Sequence, residues 1–137
     1  MPADENKVLA HRFIQVWVPG NLGLVNELAP PDITVIYPVL GEPVRGAAAF
    51  KQRLAHFHAA CPDVEISVEE SICEEDRVAL CWRVSGTHRG ELSGIRPTGK
   101  ALGWTGITIY RLVDGRVVEE RGEEAAVGLV RQLGRDA

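Results

Sequence analysis

The run Glu119-Glu120-Arg121-Gly122-Glu123-Glu124 holds the densest acid chemistry of the chain. On a strand, residues two apart share a face, so Val118, Glu120, Gly122 and Glu124 point the same way. A carboxylate held among apolar walls loses hydration, and its pKa rises toward neutrality. Such a group suits proton transfer near neutral pH. Glu120 is the first candidate for that base, with Glu124 beside it. The same residues can equally sit at a solvated rim, or pair with Arg83, Arg116 or Arg121. The spacing leaves both arrangements open.

Several polar and aromatic residues could complete such a site. Thr108 lies mid-strand in Gly106-Ile107-Thr108-Ile109-Tyr110. It is either a hydroxyl facing a ligand or simply a β-branched strand former. Trp104 and Tyr110 share its face by period two, as cavity walls or as core. Trp17 and Tyr37 have the same two readings, and the Tyr37 phenol could also donate to a carbonyl oxygen. His58 falls four residues after Leu54, at the edge of a helix's inner stripe. It is either an inward acid or donor, or a satisfied boundary histidine. His88 ends a strand and either meets a ligand or fixes the following loop.

Other chemistries find little support. His56 and His58 are two apart on a helix and point to different sides, so they do not chelate. Cys61, Cys73 and Cys81 show no CxxC spacing and are expected to be buried, reduced thiols rather than zinc ligands. There is no GxSxG, P-loop, GxGxxG or HExxH pattern.

The elements that must position these residues follow from periodicity. Residues 4–18 predict a helix with Ala10, Phe13, Ile14 and Trp17 on one apolar stripe, stopped by Pro19-Gly20. Asn21 can cap a short second helix to about Leu28, which Pro30-Pro31 ends. Asp32 to Val39 is β-rich and reads as a strand. Gly41 to Gly46 is a turn. A third helix spans about 46–60, with Phe50, Leu54, Phe57 and Cys61 inward. Four strands follow at about 64–73, 77–88, 101–112 and 116–124. Glu74-Glu75-Asp76 and Asp114-Gly115 form turns, and 89–100 is a surface loop. Ala126, Leu129, Val130 and Leu133 mark a last helix, with Gly134 placed as its C-terminal cap.

The chain has 137 residues, 45% of them hydrophobic and 25% charged, which suits one domain over 1–137. A net charge of −4 argues against a nucleic-acid partner. No apolar run approaches the ~20 residues of a membrane helix. The opening Met-Pro-Ala-Asp-Glu-Asn-Lys lacks the order of a signal peptide, so a cytoplasmic protein is expected. An antiparallel sheet wrapped over helices leaves a conical cavity where a small hydrophobic metabolite could bind.

Gly86-Thr87-His88, Pro97-Thr98-Gly99-Lys100, the strand 106–111 and the closing segment 128–134 together resemble the SnoaL-like polyketide cyclase family. Phe13, Trp17, Gly46 and Ala60-Cys61-Pro62-Asp63 are weaker supporting marks. The resemblance implies an α+β fold of the NTF2-like cone or cystatin-like type. It implies a curved antiparallel sheet over three N-terminal helices, a short C-terminal helix, and a homodimer or higher oligomer. It also implies no metal and no organic cofactor. The activity implied is aldol closure of polyketide esters by acid–base chemistry.

The chain departs from that family at the catalytic acid. The family aspartate follows a Glu-His-Trp-like tripeptide on the last long strand. Here the tripeptide is Glu119-Glu120-Arg121, and the next residue is Gly122. An acid three residues later, found in some relatives, is replaced by Ala125. A one-residue shift would bring in Glu123. Two functions therefore remain. One is a cofactor-free cyclase or isomerase of an apolar carbonyl compound, with Glu120 as base and Thr108, His58 or Tyr37 as donors. The other is a ligand-binding pocket without catalysis, or one that uses water or oxygen as epoxide-opening and hydroxylating relatives do. Apolar side chains on the outer face of strand 77–88 and its neighbours would be covered by a two-fold dimer.

Overall fold

The computed structural model describes residues 3–134, without the side chains of Ala126, Val127 and Val130. Helix α1 spans Ala3–Phe13 and tightens into a 3-10 turn, Ile14–Trp17. Val18, which precedes Pro19, is extended at φ −100 and ψ 132. A residue before proline avoids the helical region, so the single helix expected over 4–18 closes early. Helix α2 is Gly23–Leu28. Asn21 does not cap it with its side chain. Its amide donates to the Gln15 carbonyl instead, at 3.1 Å.

The expected strand 32–39 is reduced to β1, Thr34–Ile36, because Pro38 lacks an N–H and opens a 3-10 turn over Pro38–Leu40. A short β2, Val44–Arg45, lies inside the segment expected to be a turn. Helix α3 is Ala47–Ala60, entered through Gly46 at φ 94, a conformation that favours glycine. Then come β3, Glu65–Glu74; β4, Arg77–Thr87; β5, Ala101–Val113; β6, Arg116–Glu124; and α4, Ala126–Gln132. Gly134 follows α4 at φ 88, the usual left-handed helix exit.

The six strands form one curved sheet in the order β2-β1-β6-β5-β4-β3. Strands β3 to β6 are an antiparallel meander. Pairing of β1 with β6 is parallel, with Thr34 opposite Glu119 and Ile36 opposite Arg121. This corrects the wholly antiparallel expectation. No tight turn joins these two strands, so nothing forces them to run in opposite directions.

The inner face of the sheet meets α1, α3 and the first 3-10 turn. Phe13, Phe50, Leu54, Leu80, Val84 and Tyr110 fill the core. The outer face carries exposed Ile72, Ile107 and Ile109. Cys61 is buried, and burial, with Asp63 nearby, pushes its thiol up to about 11. Cys73 and Cys81 are only half-buried, so the expectation of three buried thiols holds for one. Of the final stripe, Leu133 is buried and Leu129 half-buried, while Ala126 and Val130 have side chains outside the described residues. No helix among the described residues is long and apolar enough to cross a membrane.

Candidate active site

Two bare strand positions create the site. In the β5–β6 register Thr108 faces Gly122 and Tyr110 faces Glu120. The parallel β1 carries Tyr37 to the same place. A Cβ on Gly122 would lie 2.1 Å from Tyr37 Cε1 and 2.9 Å from Thr108 Oγ1. The phenol ring therefore occupies the space that a side chain at 122 would need. Gly106 does the same for Trp82, whose Cζ2 lies 2.2 Å from where its Cβ would be. Both rings converge on Thr108.

The polar atoms form a directed chain. Trp82 Nε1 donates to Thr108 Oγ1 at 2.9 Å, and Thr108 Oγ1 lies 2.9 Å from the Tyr37 hydroxyl. Tyr37 donates to Glu120 Oε2 at 2.5 Å, and Trp17 Nε1 donates to the same oxygen at 3.0 Å. An indole N–H can only donate. With Glu120 ionised, every hydrogen in the chain then points toward its carboxylate. Glu120 is fully buried. Lost hydration pushes it up to about 7, against the lowering effect of the Tyr37 and Trp17 bonds. Burial, and then the Glu120 charge, hold the Tyr37 and Tyr110 phenols well above their ordinary value. Glu120 Oε1 and the Tyr110 hydroxyl are buried with no hydrogen-bond partner among the described residues.

Beside this chain lies a cavity of about 120 Å³. Its walls include Ile14, Trp17, Phe57, Ile66, Trp82 and Trp104, and its polar groups come from Tyr37, Ser93, Thr108 and Glu124. Successive rings of Tyr37, Trp17, Phe57 and Trp104 meet edge to face, with centroids 5.7, 5.6 and 6.2 Å apart. Such contacts are favourable beyond simple burial. Among the described residues, no lysine or arginine lines the cavity. Glu124 accepts from Trp104 Nε1 at 3.0 Å, and burial raises its pKa.

The sequence candidates thus separate. Tyr37, Thr108, Trp17, Trp104 and Glu124 line the cavity. Glu120 stands one layer behind, reached through Tyr37. Among the described residues it pairs with no arginine: Arg111 and Arg121 pair with Glu119, and Arg83 with Glu69. Gly122 is covered by the Tyr37 ring. Tyr110 is core, edge-on to Phe13 at 5.8 Å. His58 does not face the cavity. Its Nε2 bonds the Val16 carbonyl at 2.8 Å and so braces the 3-10 turn that holds Trp17. His88 is buried away from the cavity. Its Nδ1 accepts from the Thr98 N–H at 3.2 Å and lies 2.9 Å from Thr98 Oγ1, which fixes the 89–100 loop. Trp82 was missed, though Val78, Leu80, Trp82 and Val84 alternate along one face of β4 and Gly106 opposite leaves room for a ring. No group of three or more possible metal ligands occurs among the described residues.

The SnoaL-like polyketide cyclase family matches residues 7–133. Among solved structures, AclR from Streptomyces galilaeus, a candidate hydroxylase, is 31% identical, with a TM-score of 0.84 over 97% of this chain and 83% of that one. A candidate SnoaL-like polyketide cyclase from Jannaschia sp. CCS1 has a TM-score of 0.89 at 23% identity, covering 100% and 97% of the two chains. A protein from Catenulispora acidiphila with a ketosteroid isomerase-like fold has a TM-score of 0.77 at 14% identity, with 92% of each chain covered. No curated protein matches the sequence. With this NTF2-like architecture and a match along nearly its whole length, the chain belongs to the SnoaL-like polyketide cyclase family.

Proposed function

We propose that the protein is a cofactor-independent acid–base enzyme acting on a small, mostly apolar, polyketide-like carbonyl compound. The observation that carries this reading is Glu120: a fully buried carboxylate held at about 7, next to an aromatic-walled cavity. At neutral pH such a group is divided between its two forms. It can accept a proton from a carbon acid and return it elsewhere. It takes over the role of the family acid that Gly122 cannot supply. The reaction class is enolisation leading to cyclisation or isomerisation.

The test uses 2-tetralone, a bicyclic ketone with an acidic carbon beside its carbonyl. Deuterium wash-in from D2O is followed by proton NMR, and binding by tryptophan quenching. The wild type should exchange faster than buffer. Glu120→Gln should return the rate to that of buffer while binding stays within a few fold. Equal rates for both proteins would remove Glu120 from the mechanism.

A second reading is favoured by the 31% identity to a candidate hydroxylase. Under it the cavity holds an aromatic substrate while one atom of dioxygen is inserted and a two-electron donor, supplied with the substrate, reduces the other to water. Product formation would then require dioxygen and would not depend on Glu120. Under either reading we propose that two copies pack outer sheet faces together, because Ile72 on β3 and Ile107 and Ile109 on β5 are exposed on either side of β4.

A further inference from the structure

We propose that the Tyr37 phenol oxygen is the atom that takes the substrate's carbon-bound proton, while Glu120 receives the phenol's own proton from behind. This rests on the proton-transfer reading above and changes which residue touches the substrate. Tyr37 lines the cavity, whereas Glu120 is 0% exposed and is not part of its wall. A carboxylate sealed in this way cannot meet a carbon acid directly. The Tyr37 hydroxyl bridges the gap, 2.5 Å from Glu120 Oε2.

The direction of the bonds supports the same assignment. Trp82 and Trp17 can only donate, so Thr108 turns its hydrogen to Tyr37 and Tyr37 turns its own to Glu120. The phenol oxygen then keeps a lone pair for the cavity. In the step, the substrate C–H bond breaks and its electron pair stays on the substrate as an enolate. The proton bonds to the Tyr37 oxygen as the Tyr37 O–H bond breaks toward Glu120 Oε2. Glu120 becomes neutral and Tyr37 remains a phenol throughout. A free phenolate is not required, which matters because burial disfavours one. In reverse, the phenol can deliver the proton to a different substrate atom, which completes an isomerisation. Tyr37 is then the catalytic residue and Glu120 a positioning residue that stores the proton.

The test is 2-tetralone exchange with Tyr37→Phe beside Glu120→Gln. Phenylalanine keeps the ring against Gly122 and removes only the hydroxyl. The relay predicts that both variants fall to the buffer rate, with binding within a few fold of wild type. It also predicts that the rise in rate near pH 7 vanishes in Tyr37→Phe. A Tyr37→Phe protein that keeps more than ~10% of the rate, with the same pH inflection, overturns the relay. Exchange by the wild type no faster than buffer overturns the proton-transfer reading itself, whereas retained exchange in Glu120→Gln removes Glu120 from the mechanism and the relay with it. A readout that spares the fold uses 3-fluorotyrosine. In a Tyr110→Phe background it labels Tyr37 alone, since the chain has two tyrosines. The relay requires the more acidic phenol to change the rate and shift its pH dependence. An unchanged profile relative to the unlabelled Tyr110→Phe protein overturns it.

Discussion

Glu120 should make the folded protein less stable as pH rises, and replacing it should abolish that loss. Its carboxyl ordinarily titrates at 4.5 and is held at about 7 in the fold. The folded state therefore binds a proton more tightly than the unfolded chain does. Stability from this group falls as pH climbs from the unfolded value to the folded one, then levels off above it. Between about pH 5 and about pH 8.5 the loss is about 2.5 kcal/mol. For a domain of this size that is a melting-temperature change of about 10 °C. Glu124, also raised, adds in the same direction. Asp63 is lowered by its Thr87 bonds, so its contribution is lost only at acid pH, below this window. Urea denaturation of wild type and Glu120→Gln at both pH values isolates the contribution of this carboxyl, because the amide does not titrate. The wild-type curve should drop relative to the variant by about 2.5 kcal/mol as pH rises. Parallel curves would refute the burial argument for Glu120, and with it the basis of its reactivity.

Three further outcomes follow from the same geometry. Gly122→Ala places a Cβ inside the Tyr37 ring and should cost about 3 kcal/mol by thermal melting, with Tyr37→Ala relieving part of the loss when combined. Equal costs in both backgrounds would disprove the shared volume. Trp17→Phe removes one donor to Glu120 Oε2, so the Glu120 titration should move up by about one pH unit in carbon-13 NMR; an unmoved midpoint would show that the indole bond does not hold the anion. Ile107→Lys buries like charges in the proposed dimer face, and sedimentation should shift toward monomer without loss of helix by circular dichroism; an unaltered sedimentation profile would place the interface elsewhere.

Much of this architecture was legible in the sequence, because it rests on local signals. The meander β3 to β6 followed from alternation and from Asp114-Gly115, and α3 from its 3.6-residue stripe. The shared face of Glu120, Gly122 and Glu124 followed from period two alone. What could not be read was contact at long range. Parallel docking of β1 on β6 has no local signature, so Tyr37 could be named as a wall but not placed over Gly122. Trp82 depends on a glycine one strand away. His58 and His88 looked chemical by type, yet each spends a ring nitrogen on a backbone or loop partner that no spacing rule reveals.

The bonds at the heart of the site join residues very far apart in the chain. Tyr37 and Glu120 are 83 positions apart, and Trp17 and Glu120 are 103 apart. Closing such loops is slow, and no early local intermediate can contain them. The site therefore exists only once β6 has paired with both β1 and β5, a condition that no short local segment can meet. Hydrogen exchange at the Trp17 indole should therefore report how often its bond to Glu120 on β6 opens.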